Sequence, residues 1–330
     1  MIIFFLEKIR KIFKSLGKKE NKINDLITFQ KYKKNKTIYN LDKKDFEPNK
    51  NIEEPIKIAV SIAFYFNEKK LVNLKEVCES LRKLSNKVDI YIFTNKISNE
   101  DEKKLNEKIQ GNVKIIITDQ ILNDRLLPWY HVNFMKKLYI NDKNITHFIY
   151  LEDDILINKL NFDYWVNCRK ILKKFSLIPG FVRTEINNDN KEIYAIDFVK
   201  KSKLKSLPKI KVDENYYFVN HKFPYQGMYL YDRELMKEHI FGPSSNPDCG
   251  HGAYDTNLID TRMINLDLMA KANIGLTYLN VPNGFFNRMV TLYNIKEKKI
   301  DNKCQIKHLS NKYSNSESWF GNIKLSDAIN

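Results

Sequence analysis

From residue 57 onward the chain alternates two kinds of apolar pattern. Residues 57–66 (KIAVSIAFYF) are almost continuously apolar, as in a strand covered on both faces. Residues 71–85 (LVNLKEVCESLRKLS) space their apolar positions as an amphipathic helix. The alternation repeats: a strand over 88–95, a helix over 99–109 with an acidic first turn that suits the helix dipole, a strand over 113–119, a largely helical stretch over 127–142, and a fourth strand over 145–154. Strands alternating with helices imply right-handed crossovers and a mostly parallel sheet flanked by helices, an α/β fold. Beyond the fourth strand the pattern predicts a helix over 162–175. Residues 178–222 read as irregular, with the extended pieces FVRTEI and NYYFVN. A strand and helix joined at Asp232 follow over 224–241, then a Gly- and Pro-rich loop over 242–255, a helix over 255–274 and an extended run over 276–281. No glycine-rich phosphate loop follows the first strand, which weakens a dinucleotide-binding or P-loop reading.

The fourth strand changes the picture. ITHFIYLEDDILI is apolar from Phe148 to Leu151, runs into Glu152, Asp153 and Asp154, and turns apolar again at Ile155. Three carboxylates between two apolar runs repel one another and resist desolvation, so a cation or hydrogen-bond donors must offset them. Parallel sheets bind ligands outside the carboxyl ends of their strands, which is where this cluster falls. An all-oxygen donor set suits a hard cation, Mg²⁺ or Mn²⁺. Strand alternation would turn Glu152 and Asp154 to one side and Asp153 to the other. A solvated acidic turn capping the next helix is the alternative.

Before residue 56 the pattern differs. Residues 1–20 place Ile2, Phe5, Ile9, Ile12, Phe13 and Leu16 at helical spacing beside six basic residues, a basic amphipathic helix suited to an anionic membrane surface or to docking on the protein itself. Residues 21–55 read as a polar linker. The net charge is +16, and residues 1–50 hold 14 Lys or Arg against 6 Asp or Glu, half of that excess. Lys, Asn and Ile crowd the whole chain, a compositional bias that explains the charge without a nucleic-acid partner. Four widely spaced cysteines with no CxxC pair point to a reducing compartment, and no apolar run reaches the roughly 18 residues of a membrane span. The expectation is a cytoplasmic protein in peripheral contact with the membrane face through residues 1–19.

An acidic triplet ending the fourth strand of an alternating half resembles the DxD motif of nucleotide-sugar glycosyltransferases of the GT-A fold, here with Glu first. HLSNKY, with His308, resembles the late histidine that completes their metal site. GHGAYD, with Asp255, resembles the loop and helix start that carry the acid deprotonating the acceptor, and PYQGMYLYD resembles the glycine-containing loop before it. The resemblance covers roughly 57–310. It implies a GT-A-like, Rossmann-like catalytic domain over 56–310 with an irregular acceptor-side half, and a tail over 311–330. It implies Mn²⁺- or Mg²⁺-dependent transfer of a sugar from a nucleoside-diphosphate sugar to a hydroxyl of a glycan, lipid or protein, as in cell-surface glycan biosynthesis. Asp154 and His308 would ligate the metal, with Glu152 in water-mediated support. Asp153 would touch the ribose or the metal. Ala63 to Tyr65 and Asn95, at strand ends, would line the nucleoside pocket, where ordinary strand-end packing explains them equally well. Asp255 would be the base of an inverting enzyme; it also reads as a helix N-cap, and Asp248 and Asp260 are rivals. Lys136 and Lys137 could reach a diphosphate or form a solvated face. Two other classes stay open: a metal-dependent phosphoryl-transfer enzyme or nuclease, which would want a second acid cluster, and a non-catalytic basic protein acting through its N-terminal segment.

Overall fold

A computed structural model describes residues 20–36, 39, 41, 46, 52, 55–118, 124–222, 224–248, 266–316 and 320–330. The basic segment 1–19 and the 249–265 stretch, with Asp255 and Asp260, lie outside the described residues. The first described element corrects the linker expectation. Residues Glu20–Asn35 form a helix, α1, that buries Ile23, Ile27 and Tyr32. The Tyr32 hydroxyl donates to the Lys209 carbonyl at 2.8 Å, and a Cβ on Gly284 (φ +96°) would come within 2.6 Å of the Tyr32 backbone. The helix is therefore docked, with few apolar residues but well placed ones.

Strand β1 (Lys57–Phe64) is central because every side chain after Lys57 is buried. It pairs in parallel with β2 (Lys87–Asn95), and β2 with β3 (Val113–Thr118). The crossovers are α2 (Leu71–Leu81), whose Leu71, Leu74, Val77, Cys78 and Leu81 face the sheet, and α3 (Asn99–Lys108), capped by the Ser98 hydroxyl accepting from the Asp101 amide. After α4 (Tyr130–Asn141), β4 (His147–Glu152) pairs in parallel with the other edge of β1. A late strand, β11 (Met228–Asp232), then joins antiparallel beyond β4, giving the order β11-β4-β1-β2-β3. The strand order reverses between β1 and β4, where an open sheet forms a crevice at its carboxyl ends. The molecule is thus α/β with a mainly parallel central sheet.

The chain turns at Asp153–Asp154 into the two-residue strand β5 (Ile155–Leu156) and α5 (Lys159–Leu172), which starts in an Asn158–Asn161 capping box. The region read as irregular supplies β6 (Ile178–Pro179), β7 (Val182–Ile186), β8 (Ile193–Ala195), β9 (Lys209–Lys211) and β10 (Tyr216–Val219). Strand β11 (Met228–Asp232) hands over to α6 (Arg233–Phe241) at Asp232, whose carboxylate caps the helix, as expected at that junction. Helix α7 (Leu268–Ile274) is followed by a 3-10 turn over Gly275–Tyr278, not the extended run expected there. The tail supplies β12 (Met289–Asn294), β13 (Lys299–Ile300) and β14 (Gln305–His308). Two further sheets result: β13-β12-β10-β9, with β6 beside β12, and β5-β14-β7-β8. One continuous apolar core runs under all three, from Tyr39 to Ile329. Among the described residues no helix is long and apolar enough to cross a membrane.

Candidate functional site

Strand register assembles the site. Antiparallel pairing of β5 with β14 sets His308 opposite Ile155, one residue beyond the acids. Parallel pairing of β14 with β7 sets Lys307 beside Thr184, which brings Glu185 to His308. The Leu309 amide donates to the Asp154 carbonyl at 2.8 Å and pins the two segments. His308 Nε2 then lies 3.2 Å from Asp154 Oδ2, and His308 Nδ1 2.5 Å from Glu185 Oε1.

The three acids do not share one environment. Glu152, at the end of β4, accepts from the Tyr225 hydroxyl at 2.6 Å and from Asn273 Nδ2 at 3.1 Å. Its amide donates to the Gly227 carbonyl, and Gly227 (φ +64°) lies so close that a Cβ would meet Ile155 at 3.0 Å. Burial pushes the Glu152 carboxyl up, against the pull of Arg183 and Tyr225. Asp153 is buried; its Oδ2 lies 3.4 Å from Lys70 Nζ and accepts no hydrogen bond. Burial, then the charge of Asp154, raises it to about 7. Asp154 is also buried, which alone would raise it, but the hydrogen bond and charge of His308 prevail and hold it below the usual carboxylate range. For His308 burial favours the neutral ring, yet Asp154 and Glu185 outweigh it and raise its pKa. Asp153 and Asp154 are neighbours in sequence, yet burial prevails over Lys70 at the first and the His308 partner over burial at the second.

These groups open onto a cavity of ≈ 770 Å³ at the β1/β4 crevice. Ala63, Tyr65, Glu152, Asp153, Asp154 and His308 all line it, so the structure brings together six of the residues singled out in the sequence. Tyr65 is 45% exposed, an aromatic face turned to the opening. Asn95 is not among the cavity walls. Its Oδ1 accepts from the Phe66 amide at 2.7 Å, so it braces the loop that carries Tyr65. Lys136 lies over the Phe241 ring at 4.9 Å and is not among the cavity walls. Asp248 is exposed and is likewise no part of the wall.

Several cavity residues were not anticipated. Arg183 and Asp197 form a buried ion pair with contacts of 2.9 and 2.6 Å, and the guanidinium lies 4.5 Å from the Tyr225 ring centroid. Lys70, Lys222, Lys312 and Tyr313 complete the polar wall, and Asp25 of α1 pairs with Lys222. One signal was present: FVRTEI places Arg183 and Glu185 two apart in an apolar strand, on one face of it, where buried charge needs partners.

Among the described residues no group of three or more His, Cys, Asp or Glu gathers as a ready metal cage. The residues present nonetheless fit an ion held in part by substrate. Mg²⁺-type sites at phosphates use one or two carboxylates and leave other positions to phosphate oxygens and water. Asp154 and His308 offer that partial set, and Asp153 Oδ2 is a buried oxygen without a hydrogen bond beside it.

No protein-family model and no curated protein sequence matches the chain. Among solved structures it is similar to 4-diphosphocytidyl-2C-methyl-D-erythritolsynthase from Anaerococcus prevotii, with a TM-score of 0.29 and 11% identity, covering 57% of this chain and 76% of that one. A likeness of that size carries no functional argument, and the site geometry has to stand alone.

Proposed function

We propose that the chain is a metal-dependent glycosyltransferase of the GT-A type, moving a sugar from a nucleoside-diphosphate donor to a hydroxyl acceptor on a glycan, lipid or protein. One observation carries this: residues 154 and 308, distant in sequence, meet at 3.2 Å in a cavity at the carboxyl ends of β1 and β4. Packing alone gives no reason to gather three acids and a histidine there.

In this reading Asp154 and His308 hold Mn²⁺ or Mg²⁺, with Glu152 supporting through water and Asp153 touching ribose or the ion. When bound, the ion supplies Lewis-acid stabilisation of charge growing on the leaving diphosphate. The chain's own residues do the rest. Ala63 and Tyr65 present an apolar and aromatic edge to the nucleoside. Tyr225, held under Arg183, donates to Glu152 and fixes its orientation. Lys70, 3.4 Å from Asp153 Oδ2, favours the ionised form of that carboxyl against burial. If the reaction inverts, Asp255 remains the proposed base; it lies outside the described residues. Residues 1–19 remain the proposed contact with an acidic membrane face. A chain lacking them should no longer pellet with acidic liposomes, and undiminished pelleting would remove that contact.

Calorimetric titration of UDP and GDP, each with Mn²⁺ and with EDTA, tests the central claim. Metal-dependent binding of either supports it and names the donor class. A folded protein that shows no metal-dependent binding across the common nucleoside diphosphates overturns it.

A further inference from the structure

We infer that Glu185 is the positioning residue of the cation site: one of its oxygens sets the His308 ring and the other ties that ring to the cavity rim at Tyr313 and Ser314. The inference rests on the proposed role of Asp154 and His308 as cation ligands.

Glu185 sits on β7 with 2% of its surface exposed. Besides the Ser314 hydroxyl, its close contacts are three nitrogens. His308 Nδ1 lies 2.5 Å from Oε1, and the backbone amides of Tyr313 and Ser314 donate to Oε2 at 2.9 and 2.7 Å. The Tyr313 ring stacks on the His308 ring at 5.4 Å and 18°. Ring plane and rim loop are therefore set by one buried carboxylate. Its chemistry matters as much as its shape. A carboxylate accepts on both oxygens, so it can take an N–H from the ring on one side and two amides on the other. An imidazole that donates through Nδ1 leaves Nε2, the nitrogen facing Asp154, available to a metal. A glutamine of the same length accepts on one side only. Its NH₂ must face either the two backbone amides or the ring. In the second case the ring satisfies it by accepting at Nδ1 and carrying its proton on Nε2, where a cation would have to sit. Isosteric exchange should thus cost cation affinity without removing either ligand.

The test compares wild type, E185Q and E185D by Mn²⁺ calorimetry without nucleotide, alongside the NMR resonance of the His308 ring N–H, assigned by its loss in H308Q. The expected result is a Kd for Mn²⁺ ~10–100-fold weaker in E185Q, with the strongly downfield ring N–H of wild type lost and far-UV circular dichroism unchanged. Wild-type Mn²⁺ affinity in folded E185Q overturns the inference. If E185Q does not fold, E185D carries the same comparison, since it keeps both acceptor oxygens but withdraws them by one methylene. If the wild type itself takes no Mn²⁺, the cation reading falls and the ring resonance alone decides Glu185: its loss in the variant supports the positioning role, and its persistence overturns it.

Discussion

The sheet of β1–β4 and the sheet of β5, β14, β7 and β8 are built in opposite ways. The first joins consecutive segments, buries mainly apolar side chains, keeps Asp89 half-buried near the start of β2 and places Glu152 at the end of β4. The second joins segments from residues 155, 182 and 305, and it buries charge within its strands: Arg183, Glu185 and His308. The first sheet offers a stiff edge on which carboxylates can stand. The second brings the partners that decide how those carboxylates ionise. Two adjacent residues show the effect. Asp153 is raised to about 7 by burial and the charge of Asp154, against the pull of Lys70 of the first half, while Asp154 looks toward His308 of the second and is held low. Identical side chains one position apart are shifted in opposite directions, burial prevailing at the first and the His308 partner at the second.

The comparison can be broken at its seam. Asp154→Ala should lower transfer by ~10³-fold, the scale expected when a group stabilising transition-state charge is removed, with thermal stability near wild type. Near-normal turnover would separate the two regions functionally. Stability should be unequal in the same sense. Asp197→Ala strands Arg183 as an uncompensated buried charge and should cost about 3–5 kcal/mol in urea unfolding. Lys57→Ala, in the first sheet, removes a pair with Asp142 whose partners are each 28% exposed, and should cost at most about 1 kcal/mol. Equal losses would erase the distinction.

Two buried rings of the first region give a pH signature. Burial lowers His131 to about 3 and His239 to about 4. Both values lie below that of a free histidine, so the unfolded chain binds more protons once pH drops under about 6.5. Stability should therefore be full above that pH and fall toward 4, by about 1.4 kcal/mol per pH unit for each ring. A melting temperature flat from pH 7 to 5 would mean that these rings are hydrated or charged in the folded state. The smallest expected effect is Tyr225→Phe, which removes one hydrogen bond to Glu152 and should lower kcat/KM by about tenfold or less. A larger loss would make Tyr225 more than a brace.

Legibility in the sequence follows the same divide. The first four strands appear within about two residues of their expected bounds because each lies next in sequence to the helix that covers it, so periodicity alone reveals them. Asp232 was readable as a junction because its cap is local. The region over 178–222 was not, since β6 pairs with β12 and β10 with β9 and β12, partners no local window contains. Helix α1 was masked by its Lys- and Asn-rich composition, although Ile23, Ile27 and Tyr32 bury its inner face. At the site, Glu152, Asp153, Asp154 and His308 stood out because acids amid apolar residues are costly, and a late histidine was sought. Glu185 and Arg183 escaped notice because their partners come from β14, the 313–314 turn and Asp197.

The β5–β14 pairing that sets His308 against Asp154 also acts as a test of completeness. During synthesis the acids emerge long before the segment that answers them. Until residues 305–308 arrive and add their strand, Asp154 lacks its hydrogen-bonded partner and the cavity lacks a wall. A chain cut at residue 300 would retain every strand of the central sheet, yet hold its carboxylates mutually repelled at an open edge. Chemistry at this site would then switch on only once residues 305–308 are in place, with β14 as the component that arms it.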